Sequence, residues 1–230
     1  MNLDIKFLYY FSMRRIIYKS LLHRFVSPTL PDFSEFFITY NPEDLIMKLL
    51  GTNILEIIKK EYLEVFKSLE SRYNTIKLEY PLNFKIENNT SFFIYAFMRL
   101  YQPLKVVETG VANGHSTFII LSALAKNGKG KLYSIDISPN VGSLLTEDLK
   151  RNWELIVLPK ANKKTLENAI KNLHPIDIFI HDSNHLYYWQ EVEYNIAFKY
   201  VKSQGFIMSD DVDFSYAFLD FIRDKGLDAY

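Results

Sequence analysis

Val106-Val107-Glu108-Thr109-Gly110-Val111-Ala112-Asn113-Gly114-His115-Ser116-Thr117 reads as a buried strand, a glycine turn and the start of a helix. Gly110 lets the backbone bend and Gly114 lets a ligand come close. Ser116 stands where the amide groups of a helix amino end can receive a carboxylate. The same texture continues downstream. Short apolar runs at Lys105–Glu108, Lys131–Asp136, Glu154–Leu158, Ile176–Asp182 and Phe206–Asp210 each end in or near a polar or acidic residue, with helical spacing near 115–126, 163–173, 187–201 and 212–224. Apolar runs of this length suit strands buried on both faces, and their alternation with helices is a βαβ series. The fold class expected is α/β, with a doubly wound, mainly parallel sheet.

Upstream the pattern differs. Residues 1–103 carry one glycine, Gly51, and apolar residues at helical spacing, as in Ile54, Ile57, Ile58, Tyr62, Val65, Phe66 and Leu69. Asn41-Pro42-Glu43-Asp44 has the form of a helix start, because proline fits the first turn and acids favour the amino end. The expected organisation is a helical cap or lid over 1–103, which could also form a homodimer surface, followed by the α/β domain over 104–230. The first 25 residues carry Lys6, Arg14, Arg15, Lys19 and Arg24 among apolar residues. They suit a helix that docks its apolar stripe on the protein, with an anionic membrane surface as the alternative.

Composition removes several classes. The chain has 230 residues with 27 basic against 27 acidic, which argues against a nucleic-acid partner because a basic face would be its footprint. The absence of cysteine removes disulfides, thiolate metal sites and cysteine nucleophiles, so any metal is held by oxygen or imidazole. The longest uncharged stretch, Thr109–Ala125, opens with Gly110, Asn113, Gly114 and His115, which no bilayer-spanning helix would place together. The reading is a soluble, cytoplasmic protein with no transmembrane segment.

Ligands of open parallel sheets bind beyond the carboxyl ends of the strands. Glu108, Asp136, Asp182, Asp210 and Asp211 all fall there. Asp136 follows Gly114 by roughly 20 residues, the spacing at which an acid accepts both hydroxyls of a ribose. The glycines lack the third member that admits a pyrophosphate, which disfavours a nicotinamide dinucleotide and favours a nucleoside cofactor without phosphates, such as S-adenosylmethionine. Like charges at Asp182, Asp210 and Asp211 repel unless something positive neutralises them, and three carboxylates with water suit Mg2+ or a similar divalent cation. The plainer alternative has Asp211 and Asp213 capping the next helix while Asp210 marks a strand end. His185, three residues after Asp182, can take a proton from a substrate hydroxyl. His115 and His181 read as packing or polar-edge residues.

The segments Glu108-Thr109-Gly110 through Gly114-His115-Ser116 and Tyr133-Ser134-Ile135-Asp136 resemble the first two motifs of class I S-adenosylmethionine-dependent methyltransferases. Asp182-Ser183-Asn184-His185-Leu186-Tyr187 and Gly205 to Asp210-Asp211 are similar to the D-x-x-H-x-Y and G-G-x-x-x-x-D-D segments of metal-dependent O-methyltransferases, nearest the macrocin-type sugar enzymes and the cephalosporin hydroxylase-like group. The likeness spans about Val106 to Asp211. It implies a Rossmann-like domain whose cofactor is held by Glu108, Gly110, Gly114, Ser116 and Asp136, with Asn162 beside adenine. It implies a cation on Asp182, Asp210 and Asp211, His185 as base, and a small-molecule or sugar hydroxyl as acceptor. Gln204 stands where that family has a glycine, and the family's last two strands have no counterpart before Tyr230. Two expectations follow: the sequence is a fragment whose final strands are missing, or the edge of the fifth strand is left for another segment or subunit to cover. The rival readings are a methyltransferase-like domain that binds cofactor without turnover, a nicotinamide-dependent oxidoreductase, and a hydroxylase-like enzyme.

Overall fold

The computed structural model describes residues 37–230 and, for the backbone alone, residues 6–9. In chain order the elements are β1 (Lys6–Tyr9), α1 (Pro42–Leu50), α2 (Leu55–Thr75), α3 (Asn88–Tyr101), β2 (Lys105–Thr109), α4 (His115–Asn127), β3 (Lys131–Asp136), α5 (Glu147–Lys150), β4 (Trp153–Val157), α6 (Lys163–Asn172), β5 (Ile176–His181), α7 (Tyr187–Tyr200), β6 (Val201–Ser209) and α8 (Ala217–Lys225). The chain has the α/β, Rossmann-like architecture expected of it. Of the amino-terminal helix expected over the first 25 residues, Lys6–Tyr9 is a strand and the remainder lies outside the described residues.

Thr39–Lys160 is one compact unit, and Ala161–Tyr230 belongs to the other. The first of these units is built around α3. Thr90 through Met98 are buried without interruption, so this helix has no solvent face in its middle turns. It packs against α1 and α2 as well as α4. Tyr62 of α2 meets Phe92 and Tyr95 at centroid distances of 5.3 and 5.8 Å. Each large side chain so buried contributes about 1.5–3 kcal/mol, which ties these helices together. The start of α1 is as read: Asn41 Oδ1 accepts from the Glu43 amide at 3.1 Å, Pro42 occupies the first turn, and Gly51 at φ +54° ends the helix.

In this unit β2, β3 and β4 pair in parallel, Lys105 opposite Lys131 through Thr109 opposite Ile135, and Leu132 opposite Trp153 through Asp136 opposite Val157. That register puts Glu108 beside Ser134. In the other unit β5 pairs in parallel with β6, with an irregularity between Ile176 and Ile178. β6 begins at Val201, earlier than the sequence suggested, because the strand runs through this irregularity before its buried stretch. Gln204 sits there at φ +64°, a conformation in which a glycine would be unstrained. Gly205 is obligatory for space, since a Cβ would lie 2.5 Å from Val201 Cγ1 and 2.9 Å from the carbonyl oxygens of Asp177 and Lys202. Beyond β6, β1 adds in parallel from Lys6 opposite Phe206 to Tyr9 opposite Ser209, so a segment of the same chain lines the edge expected to need cover. The helix expected from residue 212 is a short 3-10 turn at Val212–Phe214, and α8 starts only at Ala217. No helix among the described residues is long and apolar enough to cross a membrane.

Candidate active site

The glycine loop lies between β2 and α4. Gly110 and Gly114 take φ of +83° and +86°, so both need the left-handed freedom read from the sequence. Ala112 between them is also left-handed, at φ +47°. The close neighbour of Gly114 is protein rather than ligand: a Cβ there would stand 3.0 Å from Gly142 Cα. Asp136 braces the loop. Its Oδ2 accepts from the Val111 amide and its Oδ1 from the Ser138 amide, each at 2.9 Å, while the carboxylate stays half-buried.

Asn113 belongs to none of the motifs read from the sequence, yet it is the hub of this loop. Its Oδ1 accepts from the amides of Glu79 and Tyr80 at 3.2 and 3.0 Å and from Ser143 Oγ at 3.3 Å, and its Nδ2 donates to the Tyr80 carbonyl at 2.8 Å. Arg72 of α2 reaches the same region and donates to the carbonyls of Ser143, Leu144 and Leu145. Only the position of Asn113 inside a glycine turn offered a sequence signal for either.

Glu108 is 1% exposed. It accepts from Ser134 Oγ at 2.5 Å, Thr117 Oγ1 at 2.6 Å and Ser116 Oγ at 3.4 Å, and Trp153 Nε1 in turn donates to Ser134 Oγ at 2.7 Å. Burial pushes its carboxyl up to about 7, against the lowering effect of the three hydroxyls. Glu108 thus ties β2 and β3 to the first turn of α4. His115 opens that turn with Nδ1 2.9 Å from Tyr73 Oη and Nε2 3.0 Å from Ser91 Oγ. Burial pushes the imidazole down to about 4, which keeps it neutral and fits the packing role read for it.

The second group of residues follows β5 and β6. Asp182 Oδ1 lies 3.9 Å and Asp211 Oδ2 3.5 Å from His185 Nε2, with these side chains about a quarter to a fifth exposed at 24%, 20% and 22%. Two carboxylates therefore face one accessible imidazole. Asp210 behaves differently: its Oδ1 accepts from the Asp211 amide at 2.9 Å, and its own amide donates to the His181 carbonyl. Among the described residues no group of three or more His, Asp and Glu side chains is set to hold a metal ion. The expected cation site on Asp182, Asp210 and Asp211 is not what this arrangement assembles, because the first and last of these acids turn to His185 and the middle one to the backbone. Nor does Asp211 cap a helix with its side chain.

His181 is fully buried, with Nδ1 2.6 Å from Glu193 Oε2, and its ring meets that of His185 edge-on at 5.5 Å. Glu193 also accepts from Ser183 Oγ and Trp189 Nε1 at 2.8 and 2.7 Å, which fixes the loop leading to His185. Asn162, expected beside adenine, caps α6: Oδ1 accepts from the amides of Lys164 and Thr165 at 3.0 and 3.1 Å, and Thr165 Oγ1 accepts in turn from the Asn162 amide.

Residues 107–212 match the family model described as a methyltransferase domain. This segment is similar to methyltransferase domains. The match favours a methyltransferase over a nicotinamide oxidoreductase, in line with the missing third glycine. The chain shares its fold with the SAH-bound methyltransferase PaMTH1 of Podospora anserina, at 16% identity over 64% of this chain and 62% of that one, TM-score 0.50. The O-methyltransferase TomG of Streptomyces achromogenes, involved in tomaymycin synthesis and solved with SAM, matches at 17% identity over 81% of this chain and 83% of its own, TM-score 0.50. The chain spans less than two thirds of the length of PaMTH1. No curated protein matches it.

Proposed function

We propose that the domain is an S-adenosylmethionine-dependent O-methyltransferase acting on a hydroxyl of a small molecule or sugar. The observation that carries the reading is the pair of carboxylates converging on His185, which gives a general base a defined orientation and stabilises its protonated form. The donor set after β2 and β3 fits the cofactor. Gly110 and Gly114 form a turn without basic side chains, the first turn of α4 offers amides for an α-carboxylate, and the half-buried Asp136 offers acceptors for ribose hydroxyls. Both SAH-bound PaMTH1 and SAM-bound TomG have this fold.

When bound, S-adenosylmethionine supplies a methyl group already activated on a sulfonium. The protein's task is then to hold the acceptor oxygen in line and remove its proton. His185 takes that proton, and Asp182 and Asp211 keep the imidazole oriented and offset the charge it gains. Asp136 and Glu108 act before the chemistry, the first by holding the glycine loop in shape and the second by fixing the first turn of α4. No step is assigned to a cation, since the acids do not gather as a ligand set.

Methyl transfer from labelled S-adenosylmethionine to a panel of sugar and phenolic hydroxyls tests the reading, run on the full chain and on His185→Gln with and without EDTA. Transfer that depends on His185 and survives EDTA supports it. Transfer lost to EDTA and restored by magnesium would show the carboxylates regrouping around an ion. Cofactor binding without transfer to any acceptor would support the reading in which the domain binds and does not turn over.

A further inference from the structure

We propose that Gln190 is a positioning residue: its buried amide straps the 211–215 loop and fixes Asp211 in the left-handed conformation from which its carboxylate faces His185. The inference rests on the reading of His185 as the base.

Asp211 has φ +55° and ψ 34°, a region that costs an ordinary side chain steric energy and persists only where the surroundings impose it. Several contacts impose it here. The Asp211 amide donates to Asp210 Oδ1 at 2.9 Å, and its carbonyl accepts from the Phe214 amide at 3.0 Å. Those bonds are local and could travel with the loop. Gln190 supplies the tie to a rigid element. It lies in the first turn of α7, is 0% exposed, and donates from Nε2 to the Asp211 carbonyl at 3.4 Å while Oε1 accepts from Ser215 Oγ at 2.6 Å. Ser215 is 2% exposed and its Oγ also accepts from the Ala217 amide at 3.1 Å, at the entrance to α8. One side chain thus holds both ends of the loop.

A buried primary amide in the core is costly unless both its ends are engaged, so a purely structural role would be served as well by leucine. What leucine cannot do is hold the carbonyl of Asp211 and the hydroxyl of Ser215 at one distance from α7. The loop so held also carries Phe214, whose ring centroid lies 6.3 Å from that of His185. The strap therefore sets two neighbours of the imidazole at once, through backbone and without touching it.

The test is the ring signal of His185 in the full chain labelled with 13C-histidine, at one fixed pH, identified by its disappearance in His185→Gln. Gln190→Leu and Ser215→Ala, which cut the strap at different points, are expected to move this signal in the direction that Asp211→Asn moves it, while the signals of His115 and His174 stay in place. Ser215→Ala keeps the test decisive where Gln190→Leu folds poorly. With an acceptor from the panel, kcat of either variant is expected to fall about tenfold or more with KM for S-adenosylmethionine unchanged, the size of effect a small misplacement near the reacting atoms produces. A His185 signal unmoved in both folded variants overturns the proposal. Failure of transfer with every acceptor bears instead on the O-methyltransferase reading, and the ring signal still tests the strap by itself.

Discussion

Glu108 lies near the end of one apolar strand and Asp211 just beyond another, yet they live in opposite physical regimes. Glu108 is sealed among three hydroxyls and pushed toward its neutral form. Asp211 is a fifth exposed, sits on a strained backbone and faces an imidazole. An acid at a strand end therefore says little by itself about chemistry. What surrounds it decides: hydroxyl donors that come from the same unit make a joint, whereas an accessible imidazole with a second carboxylate makes a candidate base.

The contrast breaks most visibly at His185. His185→Gln is expected to cut kcat by about a thousandfold, the range for losing a general base, with cofactor affinity in calorimetry unchanged. If His185→Gln were as active as the native chain, the accessible group would be no more catalytic than the sealed one.

Next comes the pH dependence of the sealed unit. Glu108, raised from 4.5 to about 7, contributes stability that is complete below 4.5 and lost as pH rises through 7. His115, lowered from 6.5 to about 4, contributes stability that is complete above 6.5 and lost as pH falls through 4. The two slopes oppose each other over the same window and leave the native chain nearly flat there. Glu108→Gln should uncover a loss on acidification and His115→Gln a loss on alkalinisation, each of about 3 kcal/mol across the window, read from urea midpoints between pH 4.5 and 7.5.

Gly114→Ala is expected to cost about 2 kcal/mol in urea unfolding, because it adds a Cβ 3.0 Å from Gly142 Cα at φ +86°. A smaller effect of opposite sign sharpens the comparison. Asp211→Gly removes the left-handed penalty at the price of chain entropy and should raise stability by about 0.5 kcal/mol while slowing transfer. If Asp211→Gly destabilised the chain instead, the strain at this position would not be stored for function.

The βαβ series was legible because apolar runs such as Ile176–His181 are buried along their whole length and because the glycine turn has little alternative geometry. Spacing placed Asp136 beside the glycine loop and His185 near Asp182, and both lie there. The fate of Asp210 was not, since the choice between a shared ion and a backbone amide depends on a left-handed residue at 211 that an aspartate does not announce. The cage around Glu108 was hidden for a similar reason: Ser116, Thr117 and Ser134 are ordinary residues in sequence and become donors only through the β2–β3 register and the first turn of α4. Gln190 carried no signal, because one glutamine in an amphipathic helix looks like a solvent-facing residue.

The grip of Arg72 on three successive carbonyls, together with the Tyr73 and Ser91 hydroxyls on His115, bears on how this scaffold can be recombined. A chimaera joined at Leu104, where the sequence texture changes, would strip a sealed imidazole of both partners and free the turn that supports Gly114. A graft that carries residues 39–160 across as one piece keeps those bonds intact, so the natural module for exchange is set by hydrogen bonding and not by the visible seam in composition.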